Sequence, residues 1–160
     1  MTATIRRATG EDADVWLALL HTNLQIDGET PGLAREDIVA EFDSGGGNET
    51  WVAEPDGNLQ AAITLLKPAE NNDNPVANLG RCIGTDESYL TGSIGSLLEH
   101  VWNNCVERGL TAVARLPVSD KRQHEAFERA GFKCTGFQPL KHRLGGADGT
   151  LFYVRVNDSA

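Results

Sequence analysis

The segment 90–98, Leu-Thr-Gly-Ser-Ile-Gly-Ser-Leu-Leu, and the helix it opens constrain the fold more than any other stretch. Ile94, Leu97, Leu98, Val101, Trp102 and Cys105 follow one another at steps of three and one. That spacing lines a single face of a helix. It predicts a helix from inside the segment to about Arg108, with Gly109 as the stop. Gly92 and Gly95 let the main chain approach a bulky ligand. The first free N–H groups of the helix, backed by its dipole, then suit a phosphate or pyrophosphate. The same two glycines also serve a tight strand-to-helix turn with no ligand at all.

The rest of the chain supplies what that helix can pack on. Residues 3–9 read as a first strand, and Thr9-Gly10-Glu11-Asp12 as a capping-box-like helix start. Val15, Trp16, Leu19 and Leu20 give that helix its apolar face. Thr30-Pro31 reads as an N-cap with proline at N1, opening a second helix through Ile38 and Phe42. Residues 50–54 and 59–66 form a hairpin about Pro55-Asp56-Gly57-Asn58. Residues 68–75 are a polar loop, and 76–85 a fourth strand weakened by Gly80 and Gly84. After the 94–108 helix, residues 110–116 are a fifth strand and 119–130 a helix closed by Gly131. Residues 133–140 and 151–156 are two last strands about a glycine-rich loop at 145–149. The order β-α-α-β-β-β-α-β-α-β-β predicts one α+β domain over 1–160. Its mixed sheet has about seven strands and about four helices, with one βαβ crossover through the 94–108 helix.

Composition narrows the function. The formal charge is −9, which disfavours nucleic acid and anionic lipid as partners. No apolar run approaches membrane-spanning length. The first residues lack a signal-peptide core, so a cytoplasmic location is expected. Cys82, Cys105 and Cys134 are far apart and odd in number, and the four histidines form no HxxxH or HxH pair. No disulfide framework or metal site is expected.

Ser93-Ile94-Gly95-Ser96-Leu97-Leu98, Ala126-Phe127-Glu128-Arg129-Ala130-Gly131-Phe132 and Leu151-Phe152-Tyr153-Val154-Arg155, set in this element order, resemble the GNAT N-acetyltransferase superfamily over essentially the whole chain. The first segment is similar to the second half of the family's Q/R-x-x-G-x-G/A acyl-CoA loop. Leu90 stands at the Q/R position, Ser93 at the first glycine, and only Gly95 matches. The second is similar to the A-x-x-x-Y-E-K/R-x-G-F segment, with Phe127 where the family often has a tyrosine that protonates the departing thiolate.

The resemblance implies acetyl-CoA as cosubstrate, no metal, and direct transfer to a small-molecule or peptide amine in a monomer or homodimer. A non-catalytic acyl-CoA-binding or regulatory module is the alternative, and an unrelated α+β domain the third reading. The resemblance implies that pyrophosphate lies against Thr91, Gly92, Ser93, Ile94, Gly95 and Ser96. The fourth strand splays near Ile83, Gly84 and Thr85 to take the pantetheine arm. Glu87, ahead of Asp86, is the candidate base, although two solvated charges need no role. Ser119 is a candidate polar contact or a plain N-cap residue with Asp120. Tyr89 is a candidate acid or a packed ring. Phe127 and Phe132 have the spacing of the apolar pair that accompanies a Schellman cap.

Overall fold

In the computed structural model, residues 3–27, 34–44, 47–66, 76–139 and 149–157 are described. The expected cap at Thr30-Pro31, the 68–75 loop and most of the 145–149 loop lie outside them.

The strands are β1 (Thr4–Arg7), β2 (Glu49–Glu54), β3 (Ala61–Leu65), β4 (Val76–Gly84), β5 (Thr111–Pro117), β6 (Lys133–Pro139) and β7 (Gly149–Arg155). They form one seven-stranded sheet in the order β1-β2-β3-β4-β5-β7-β6. The first four strands are an antiparallel meander, as the turn chemistry predicts. β4 and β5 run parallel, because the crossover helix α4 (Ser93–Glu107) carries the chain back to the starting edge. β7 inserts between β5 and β6, antiparallel to both.

Side-chain alternation gives the sheet two cores. Ala61, Ile63 and Leu65 meet Ile94, Leu97, Leu98, Val101 and Cys105 of α4 on one face, together with Ala112, Ala114 and Leu116. Val52, Ala62 and Ile83 meet Trp16, Leu20, Ile38 and Phe42 of α1 (Ala13–Asp27) and α2 (Arg35–Ser44) on the other. Trp16 and Phe42 make an edge contact at 5.4 Å between ring centroids. Burying the α4 stripe removes six side chains from water, each worth about 1.5–3 kcal/mol for the large aliphatic members.

The α-helices number five among the described residues, against about four expected. Residues 86–91, which read as a lead-in to the glycine segment, form a short helix, α3 (Asp86–Thr91). Thr85 caps it by accepting a hydrogen bond from the Ser88 N–H at 3.1 Å. Gly92, at φ +84°, ends it and opens α4 in the same residue. That left-handed conformation favours glycine strongly. At the other end of the domain, α5 (Lys121–Arg129) closes as its sequence predicts. Gly131 sits at φ +89°, the Phe132 N–H donates to the Phe127 carbonyl at 3.0 Å, and the two rings are 5.1 Å apart.

Candidate functional site

β4 and β5 pair only from Val76 with Thr111 to Leu79 with Ala114. Beyond those residues the two strands separate. β4 is turned away by a bulge: Arg81 and Cys82 together oppose Ile63 of β3, and Arg81 takes φ +48°. An extra residue on one strand bends it and re-aims its peptide groups. The resulting cleft holds about 330 Å³. Leu79 to Ile83 of β4 form one wall and Ala114 to Pro117 of β5 the other, with Leu20 and Asn23 of α1 and Gln123 and Phe127 of α5 at its ends.

Two main-chain groups of the splayed strand carry side-chain partners. The Cys82 carbonyl accepts from Gln123 Nε2 at 2.7 Å. The Gly84 N–H donates to the buried Asn23 Oδ1 at 3.3 Å. These are hydrogen bonds that a neighbouring strand would otherwise supply. The Cys82 thiol is pushed up to about 12, mainly by burial, so it stays protonated at neutral pH.

Two smaller openings adjoin this region on the α3–α4 side. One is lined by Tyr89, Gly92, Ile94, Gly95, Glu99, Ala126, Arg129 and Ala130. The other is lined by Asp86, Tyr89, Leu90, Arg122, Glu125, Ala126 and Arg129. A Cβ built on Gly92 or Gly95 meets no atom within 4 Å. Internal packing therefore does not demand glycine at 95, and the space above the α4 N-terminus is open.

The expected site residues divide between these places. Ile83 lines the cleft, whereas Gly84 does not and packs so closely on α3 that a Cβ would fall 2.5 Å from Ser88 Oγ. Thr85, as the cap of α3, keeps its hydroxyl on helix duty. Thr91 Oγ1 bonds the Glu87 carbonyl at 2.9 Å and Ser93 Oγ at 3.2 Å. Ser93 and Ile94 are buried, and Ser96 is exposed. The Ser96 N–H is already bonded to the Gly92 carbonyl at 3.0 Å. The α4 first-turn donors are thus those of Ser93, Ile94 and Gly95.

Asp86 is ion-paired with Arg122 and its side chain is 85% exposed. Glu87 is exposed, and neither carboxylate lines the cleft. Forming α3 moves both from the strand tip, where the sequence places them, to the outside of a helix. Ser119 is exposed and lines none of these cavities, whereas Asp120 caps α5 through the Gln123 N–H at 3.3 Å. Tyr89 is half-buried, with the Arg122 guanidinium 4.8 Å from its ring centre. Its hydroxyl is enclosed and lacks a well-formed hydrogen bond among the described residues, although the Gln123 amide lies close. Burial raises its pKa, so the phenol remains a proton donor. Phe127 is 1% exposed, and it both closes the α5 cap and faces the cleft. No group of three His, Cys, Asp or Glu side chains suited to a metal occurs among the described residues.

Asn23, Arg81, Arg115 and Gln123 belong to the site without having been marked by the sequence. Gln123 carried a weak signal, since a glutamine three residues after an aspartate cap reads as a capping residue. The other three had none.

No protein-family model matches the chain, and no curated protein matches it by sequence. Solved structures do match its fold. A spermidine N-acetyltransferase chimera from Vibrio cholerae and hSSAT superposes with a TM-score of 0.79 at 14% identity, covering 99% of this chain and 98% of that one. A ribosomal-protein-alanine N-acetyltransferase from Brucella melitensis gives 0.76 at 18% identity, covering 96% and 99%. A ribosomal L7/L12 alpha-N-protein acetyltransferase in complex with coenzyme A gives 0.75 at 15% identity, covering 100% and 97%. With the splayed parallel pair, the β4 bulge and the crossover helix, these likenesses establish that the chain has the GNAT acetyltransferase fold.

Proposed function

We propose that the protein is an N-acetyltransferase that moves the acetyl group of acetyl-CoA directly to a primary amine of a small molecule or peptide. The observation that carries this reading is the loss of β4–β5 pairing beyond Leu79 and Ala114, which opens a cleft between the two strands, while the glycine-bearing N-terminus of α4 lines an opening of its own. The match to a coenzyme A complex of the same fold supports it.

In this reading the pyrophosphate rests on the Ser93, Ile94 and Gly95 N–H groups, with Arg122 and Arg129 at the rim. The pantetheine arm enters between β4 and β5 and takes over the Cys82 carbonyl from Gln123. The acetyl group then lies in the cleft, where preorganised main-chain dipoles of the bulge stabilise the developing oxyanion. The amine nitrogen attacks the thioester carbon. A C–N bond forms, the C–S bond breaks, the nitrogen loses one proton, and the thiolate leaves and takes one. Cys82 is the nucleophilic side chain of the cleft, and its protonated state favours direct transfer over an acyl-cysteine intermediate.

Phe127 cannot supply a proton to the thiolate. Thiols titrate near about 8.5, so the thiolate leaves readily; the enclosed phenol of Tyr89, within electrostatic range of Cys82, is the candidate donor, though burial makes it a weaker acid. Asp86 and Glu87 stand outside the cleft, which leaves the amine proton to water. A second reading, an acyl-CoA-binding module without turnover, is favoured by Phe127 and by the Gln123 bond across the cleft mouth. Release of CoA with a panel of amines, after acetyl-CoA binding has been measured, separates the two: release supports the enzyme, and binding without release with any amine supports the module.

A further inference from the structure

The described lining of the β4–β5 cleft includes two cations, Arg81 and Arg115, and no carboxylate. That is unexpected in a chain of net charge −9. Arg81 is a fixed charge: its Nη1 bonds Glu41 Oε2 at 2.7 Å, and its guanidinium stands 5.6 Å from the Trp16 ring centre. Arg115 is exposed and leans over the Phe152 ring at 5.5 Å, without an ion pair to any described carboxylate. Its side chain lines the cleft, and its donors are not committed to a described carboxylate.

A polyamine or a lysine ammonium entering this cleft meets the Arg115 charge, and the Glu41 carboxylate is already engaged by Arg81. An amine beside a carboxylate meets a bidentate partner. The chemistry points the same way. The attacking amine must be neutral, and no carboxylate in the cleft strips its proton. The terminal α-amine of a peptide titrates near 7.7–8.0 and is about one-tenth neutral at pH 7, against less than about a thousandth for a lysine amine near 10.4, whereas the adjacent carboxylate of a free amino acid raises its amine above the peptide value.

We infer that the acceptor is an α-amine with a carboxylate close to it, a free amino acid or the N-terminal residue of an acidic peptide, and that Arg115 holds that carboxylate. This rests on the reading of the cleft as the place of acetyl transfer. The group transfer is the one already written, with the α-amino nitrogen as nucleophile.

The test measures CoA release from acetyl-CoA with alanine, glutamate, a Ser-Glu dipeptide amide, alaninamide and spermidine, on the wild type, Arg115→Gln and Arg115→Glu. Acetyl-CoA affinity is measured in parallel by calorimetry. The expected result is kcat/KM at least about tenfold higher for a carboxylate-bearing acceptor than for alaninamide or spermidine. Arg115→Gln should remove that preference through the acceptor KM, and Arg115→Glu should reverse it. Preference for alanine and glutamate identifies the free amino acid, and preference for the dipeptide the acidic N-terminus. Equal or better use of spermidine or alaninamide, a preference that survives Arg115→Gln, or release with none of the carboxylate-bearing amines despite acetyl-CoA binding overturns the inference. Absence of acetyl-CoA binding instead removes the acetyltransferase reading beneath it.

Discussion

Gly95 distinguishes a ligand cradle from a mere turn at the scale of one side chain. A Cβ there has open space within the protein, so Gly95→Val should fold with a melting temperature close to wild type. The new methyls would stand where the pyrophosphate is placed, and acetyl-CoA affinity should fall about tenfold, or roughly 1.4 kcal/mol. Gln123 makes the opposite prediction. In the proposed function its bond to the Cys82 carbonyl competes with the pantetheine arm, so Gln123→Ala should tighten acetyl-CoA binding by about two- to tenfold, the worth of one net hydrogen bond. Weaker binding in that variant would mean that Gln123 contacts the ligand instead. The residues that chemistry alone selects behave differently. Asp86 and Glu87 are acidic side chains beside a glycine-bearing helix start, but their exposure on α3 argues that Asp86→Asn and Glu87→Gln keep turnover within about threefold. A loss near 10²-fold in Glu87→Gln would restore it as the base.

Elements were legible wherever a strong period met a clear stop. The α4 stripe, the Pro55–Gly57 turn and the Schellman ending of α5 all follow from local residue chemistry. α3 was not, because Asp-Glu-Ser-Tyr-Leu-Thr has no apolar period and buries only Ser88. A six-residue helix is stabilised by its cap and its neighbours rather than by its composition. The α5 ending also fixes what Phe127 does for stability. With that ring 1% exposed and packed on Phe132 and Tyr153, Phe127→Ala should cost about 3–5 kcal/mol in chemical denaturation. A second element-scale prediction concerns acid. Arg6 hydrogen bonds hold Asp12 and Glu54 below the usual carboxylate range, and Arg108 does the same for Glu49. Depressed folded-state pKa values stabilise the protein above the unfolded values of about 4 and lose that contribution as pH falls through the folded ones. Melting temperature should therefore drop as pH is lowered below about 4, and Asp12→Asn should flatten that part of the curve.

At the scale of the molecule, topology assembles what the sequence disperses. Asn23, Arg81, Arg115 and Gln123 lie on α1, β4, β5 and α5, a hundred residues apart at the extremes, and meet only because β4 and β5 part beside two helices. No local pattern encodes that meeting. The fold class was legible from element order; of the segment from 83 to 96, Ile83 lines the cleft and Gly92, Ile94 and Gly95 line the opening at the start of α4. The central claim is that this cleft and the α4 N-terminus together hold acetyl-CoA. Isothermal titration of acetyl-CoA into the wild type and into folded Gly95→Val tests it most directly. One site per chain, weakened about tenfold by the substitution, is the predicted result; no binding to the wild type, or equal binding to both, would contradict the account.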